Sequence, residues 1–174
     1  MKKYFLTISL AILGLAVGWH AGLHRNDISV APDTQTSATL PDSYWPNLDG
    51  GQNQLSEWQE KVLIVNHWAT WCEPCREEIP MFMEVQARYA EQGVELIGIA
   101  HDEEDEVRRY VDSMGMDYPQ LLAGRGQGQK WLVELGNNGS LPFTLVFDRE
   151  GNLRAKKLGR MSEQELRTAV ESIL

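Results

Sequence analysis

Residues 62 to 75 set the tightest limit on what this chain can fold into. Val62-Leu63-Ile64-Val65-Asn66-His67-Trp68 is a nearly continuous apolar run rich in β-branched residues. That is the pattern of a strand covered on both faces, as in a parallel sheet. Soon after it, Trp71-Cys72-Glu73-Pro74-Cys75 opens a segment that reads as a helix from 73 to about 91, closed by Gly93. Two cysteines separated by two residues at a helix start can close a disulfide across one turn. The first also lies over the unsatisfied N–H groups and positive end of the helix, which lowers a thiol pKa. Cys72 is therefore the attacking sulfur, and Cys75, one turn in, the resolving one. Pro74 is tolerated because first-turn N–H groups lack intrahelical partners anyway.

The rest of the chain alternates in the same way. Val94–Ala100 is a second buried strand, followed by a helix over 103–114 that Gly115 ends. A further helix is expected over 127–135, ended by Gly136. Phe143–Phe147 and Leu153–Leu158 read as strands joined by the turn Asp148-Arg149-Glu150-Gly151, and Ser162 caps a last amphipathic helix over 163–173. Upstream, Trp45-Pro46-Asn47-Leu48-Asp49-Gly50-Gly51 looks like a short strand entering a turn, and Leu55–Trp58 like one helical turn. Strand–helix–strand followed by helix, hairpin and helix implies an α/β sandwich.

Composition narrows the chemistry. The chain has only two cysteines. A disulfide scaffold needs more, and a structural zinc site needs four ligands, which no second cysteine or histidine pair supplies. No metal and no cofactor beyond the cysteine pair is expected. The formal charge is −9, although Lys2, Lys3 and Arg25 add positive charge at the N-terminus. A surface that acidic repels phosphate backbones, which argues against nucleic-acid binding.

Lys2 and Lys3 precede an apolar run from Phe5 to Trp19, the charged and apolar regions of an export signal. Ala16-Val17-Gly18 offers a cleavage site, while continuation through Leu23 makes an uncleaved anchor; the lysines stay cytoplasmic in either case. Residues 26–43 are polar and rich in Thr and Ser. The expected organisation is 1–23 export signal or membrane anchor, 24–43 flexible tether and 44–174 folded domain. The expected location is the periplasmic or extracytoplasmic face of the bacterial inner membrane, anchored or released.

Asn66-His67-Trp68-Ala69-Thr70-Trp71-Cys72-Glu73-Pro74-Cys75 resembles the active-site strand and turn of thioredoxins. The Glu-Pro dipeptide, Asn66 and the export segment resemble the TlpA/ResA-like, membrane-associated branch of that superfamily, over roughly residues 44–174. The resemblance implies a thioredoxin-like fold: a central mixed β-sheet flanked by helices on both faces, with an N-terminal strand extension. Pro80 matches the proline that kinks the active-site helix. Leu141-Pro142-Phe143-Thr144 resembles the superfamily's cis-proline loop, in which Leu141 backbone groups would bind an extended substrate; alone, Pro142 would merely open an edge strand. Trp71, Glu73 and Pro74 complete the substrate-binding set that the resemblance implies.

The same resemblance assigns redox tuning. Thioredoxins carry a buried aspartate six residues before the first cysteine; here it is Asn66, which cannot take up or release a proton. TlpA/ResA-like proteins share this asparagine and carry an acid three residues past the second cysteine, which is Glu78. Glu78 is thus expected to tune or deprotonate the pair, against the plainer reading of a solvated helix carboxylate beside Glu77. His67 stands where the family has phenylalanine, either as a titratable ring that shifts the thiols or as a core histidine.

The function expected from this resemblance is a thiol–disulfide oxidoreductase, an enzyme that reduces disulfides in exported proteins. Its implied partners are those proteins, apocytochrome c in cytochrome c maturation among them, and a membrane thiol carrier that supplies electrons. An oxidase of the same fold is the first alternative. A copper-binding chaperone is a weaker one, because that family spaces its cysteines by three residues and adds a distant histidine.

Overall fold

The computed structural model describes residues 29–30, 38–124 and 127–174. The export or anchor segment expected over 1–23 lies outside the described residues. Eight strands are present among those described: β1 (Ser29–Val30), β2 (Tyr44–Pro46), β3 (Gln52–Gln54), β4 (Val62–Trp68), β5 (Val94–Ala100), β6 (Gln120–Leu122), β7 (Phe143–Phe147) and β8 (Leu153–Leu158). The helices are α1 (Glu73–Tyr89), α2 (Glu104–Met114), α3 (Gln127–Glu134) and α4 (Glu163–Glu171), with 3-10 turns at Leu55–Trp58 and Ala90–Gln92.

The main sheet runs in the order β1-β8-β7-β4-β5-β6. β4, β5 and β6 are parallel, whereas β7 is antiparallel to β4 and β8 antiparallel to β7. Five strands make the body of this mixed sheet, and the two-residue β1 extends its edge. Every residue of β4 is buried, as the uninterrupted apolar run requires of a central strand with both faces covered.

Strand alternation divides the core in two. Val62, Ile64 and Trp68 pack with Ile79, Phe82 and Val85 of α1, Val107 of α2 and Leu166 and Val170 of α4. Leu63 and Val65 face the other way, onto Trp45, Leu55, Trp131 and Leu132. Helices therefore cover both faces, and β4 carries the motif at its C-terminal end into α1.

Most expected elements are present, with short shifts at helix ends. α1 tightens into the 3-10 turn at Ala90–Gln92, and Gly93 closes it in the left-handed conformation. β6 was not expected, because three residues are too few to show a period. Part of the expected tether is paired as well: Ser29–Val30 lies against β8, and Leu40 N–H donates to Gly151 O. Packing on this side thus reaches further toward the N-terminus than the boundary at Tyr44. These residues pair through their backbone at a sheet edge, which composition does not reveal.

β5 and β6 approach closely through Gly98. A Cβ there would fall 2.1 Å from Gln120 Oε1. Gln120 is buried, accepts from Trp68 Nε1 at 3.0 Å and donates to Tyr118 O. Gly98→Ala must push that amide off both partners and is expected to cost about 1–3 kcal/mol. A denaturant midpoint unchanged from the native protein would contradict this.

Candidate active site

Cys72 and Cys75 are joined in a disulfide. Cys72 is the N-cap of α1, with extended backbone angles, and Glu73 and Pro74 open the first turn. The chain must leave β4 and reverse within Ala69-Thr70-Trp71, and Cys72 N–H closes that turn on Ala69 O at 3.2 Å. Cys75 is fully buried while Cys72 keeps 5% exposure. Only Cys72 is open to an incoming sulfur. Trp71 stands out beside it at 67% exposure, with Glu73 and Pro74 exposed alongside.

The Leu141–Pro142 bond is cis. Leu141 packs against the core cluster that contains both cysteines, and β7 pairs Phe143 with His67 at the end of β4. Gly159 N–H holds Pro142 O at 2.9 Å, which ties the loop to the end of β8. The proline, its neighbour Leu141, the disulfide and Trp71 therefore belong to one end of the sheet.

Glu78 lies on the buried face of α1, three residues past Cys75, and is 1% exposed. It is no surface carboxylate. Its Oε1 accepts from Asn66 Nδ2 at 2.9 Å, and its Oε2 accepts from Met161 N–H at 3.0 Å. The second donor is aimed by the capping box of Ser162 and Glu165, which fixes the start of α4. Burial pushes the Glu78 carboxyl up to about 7; Met161 N–H, the Asn66 amide and the Arg160 charge partly offset this by favouring the ionised form. A cleft of about 420 Å³ beside it is lined by Glu77, Glu78, Lys157, Arg160 and Met161 among others. This carboxyl lies on the same buried helical face as the Cys75 sulfur, one turn further on.

His67 does not join this group. Alternation along β4 turns it to the opposite face, where its ring meets Trp131, Phe143 and His101. Its Nδ1 is 2.9 Å from His101 Nε2. Burial lowers His101 to about 4 and His67 well below its usual value, helped by the neighbouring ring. Both rings are neutral at physiological pH, so the tuning role expected for His67 gives way to the core reading. The physical reason is side-chain parity: one residue along a strand changes the face.

Two side chains important to the site were not singled out from sequence. Asp102 opens an acidic run, 102–106, at the start of α2, where carboxylates are ordinary. Its Oδ2 in fact accepts from Thr70 N–H at 3.3 Å and from the Thr70 hydroxyl, and its Oδ1 accepts from Glu103 N–H. It clamps the turn two residues ahead of Cys72. Thr144, buried on β7, accepts from Asn66 Nδ2 at 3.1 Å. Separations of 32 and 78 residues left no local signal for either. Among the described residues, no cluster of three His, Cys, Asp or Glu is placed to hold a metal ion.

Comparison with known proteins agrees with this geometry. The AhpC/TSA family matches residues 32–156. Thiol-disulfide oxidoreductase ResA of Bacillus thuringiensis (strain Al Hakam) is 30% identical over 177 residues, covering 99% of both chains. The ResA protein of Geobacillus thermodenitrificans is 27% identical over 174 residues, covering 99% of this chain and 94% of that one. Among solved structures, a thiol:disulfide interchange protein of the thioredoxin family from Chlorobium tepidum superposes with a TM-score of 0.71 at 28% identity. It covers 82% of this chain and 99% of its own.

Proposed function

Since the chain belongs to the AhpC/TSA family and is a ResA-like thiol–disulfide oxidoreductase of thioredoxin fold, we propose that it works as a reductase of disulfides in exported proteins. In the reduced protein the Cys72 thiolate attacks one sulfur of the target disulfide, forming a mixed disulfide and releasing the other target sulfur as a thiol. Cys75 gives its proton to Glu78 and attacks Cys72 Sγ, which frees the second target thiol and restores the Cys72–Cys75 bond. Two electrons pass to the target. A dithiol carrier at the membrane returns them.

The observation that carries the reading is Glu78 itself, buried beside the resolving cysteine and titrating near neutrality. A base for the resolving thiol is what a reductant needs to complete its cycle. Glu73, next in sequence to Cys72, acts in the same direction, because a like charge disfavours the thiolate and so favours the oxidised pair. Leu141 N–H and C=O have no backbone partner among the described residues. They suit main-chain pairing with an extended target segment, with Trp71 as an apolar contact. Apocytochrome c, whose cysteines must be reduced before haem attachment, is the target we favour.

The proposed setting is the extracytoplasmic face of the inner membrane, reached through the N-terminal segment. Among the described residues no helix is long and apolar enough to cross a membrane; the proposal rests on the Lys2-Lys3 and apolar pattern before them.

Equilibration in thiol–disulfide buffers tests the direction. A reduction potential near about −270 mV is expected, and one near about −120 mV would make the protein an oxidase instead.

A further inference from the structure

Asn66 presents an unusual account of buried hydrogen bonds. Its side chain is 1% exposed, and Nδ2 donates twice, to Glu78 Oε1 and to Thr144 Oγ1. Its Oδ1 is buried with no partner among the described residues. A buried orphan acceptor is uncommon and calls for a reason. An ionised Glu78 carboxylate only accepts, so an amide that turns its N–H toward it leaves its oxygen unused.

Thr144 decides whether that orientation is held. It is the register partner of Asn66 across β4 and β7 and is fully buried, two residues past the cis-proline. A hydroxyl exchanges donor and acceptor roles by rotating about its C–O bond, whereas the Asn66 amide must turn over to do so. We propose that Thr144 is a positioning residue whose hydroxyl holds the Asn66 amide with its N–H toward Glu78 and reverses from acceptor to donor when Glu78 takes up a proton. In the protonated state the amide turns over. Asn66 Oδ1 then accepts from both the Glu78 carboxyl O–H and the Thr144 O–H, using both of its lone pairs. The orphan oxygen of the observed state becomes the shared acceptor of the other, and the amide N–H groups take the unpartnered place in its stead.

The inference rests on Glu78 as the proton-handling group proposed above. It adds a route by which β7, and with it the loop that receives the target, communicates with the acid. Other charges face Glu78 too: Glu77 on its own helix, Lys157 on β8, and Arg160, Glu163 and Glu165 around the start of α4 line the same cleft. Tyr118, ahead of β6, is also within electrostatic reach. None of them bonds the Asn66 amide among the described residues, so a change at Thr144 leaves their contribution in place.

The loss of Thr144 oxygen weighs unequally on the two states. With Glu78 ionised, it strands a buried N–H; with Glu78 protonated, Oδ1 keeps one donor. Thr144→Val should therefore favour the protonated acid. The experiment follows the Glu78 carboxyl carbon by ¹³C NMR in the oxidised full-length protein across pH. Thr144→Val is expected to raise its midpoint by about one pH unit, and Thr144→Ser to leave it within about 0.3 of native. A Val variant that titrates like the native protein, or a Ser variant that shifts as far as Val, overturns the proposal. Should Thr144→Val fail to fold, Thr144→Ala carries the same expectation. A native midpoint far from neutrality would instead overturn the role of Glu78, so the two readings fail separately.

Discussion

Cys75→Ser protein, reduced and mixed with a disulfide-containing target, is expected to accumulate as a mixed disulfide through Cys72 and to turn over at least about a thousandfold more slowly than native. The asymmetry follows from burial. Cys72 caps α1 and keeps a small opening, while Cys75 is sealed in the core cluster with Ile79 and Phe82. An external sulfur can reach only the first. With serine at the second position, the first attack proceeds and the release step has no nucleophile. Cys72→Ser should trap nothing and be equally slow. Non-reducing electrophoresis of the two variants reads this directly. Trapping by Cys72→Ser instead would exchange the two roles.

Glu78→Gln carries the second large effect, on rate and on stability at once. Glutamine keeps the shape and accepts from Met161 N–H, yet cannot take a proton from Cys75. Turnover at pH 7 is expected to fall by about 10² to 10⁴, the range for a lost general base, and the limb of the pH–rate profile near 7 should vanish with it. Stability moves the other way. The folded Glu78 binds its proton up to about pH 7, whereas an ordinary glutamate carboxyl releases it near 4.5. Between those values the folded state holds more protons, so this group's contribution falls as pH rises through that window and is flat above it. The full difference is roughly 3 kcal/mol. Glutamine removes this slope, and at pH 8 the variant should unfold at higher denaturant than native while the two converge near pH 4. A variant less stable at both pH values would show that the carboxylate is stabilised rather than strained by its surroundings.

These two results bear on different parts of the same device. The cysteine pair can be assigned from its place at the end of a strand and the start of a helix. The acid depends on how α1, β4 and the start of α4 close around one side chain. Trp71 and the cis-proline loop stand at the disulfide, while Glu78 opens to the cleft lined by Glu77, Arg160 and Met161.

What the sequence determined by itself was local. The apolar run over Val62–Trp68 specified a central strand, glycines at 93 and 115 ended helices in the left-handed conformation, and Ser162 with Glu165 built a cap. Each depends on neighbours within a few positions, so periodicity and capping chemistry suffice. Cys72 and Cys75 belong to the same class. Resemblance to thioredoxins extended this to the cis bond at Pro142 and to Glu78, where spacing alone would have allowed an edge strand and a surface carboxylate.

Tertiary structure decided the rest. It turned His67 away from the disulfide and Asn66 toward Glu78, because strand parity separates adjacent side chains by the thickness of the sheet. It brought Asp102 onto Thr70 and Thr144 onto Asn66, pairings between residues far apart in the chain whose short polar side chains have many ordinary uses. It also raised the carboxyl of Glu78, since desolvation is a property of everything packed around a group and not of the group itself.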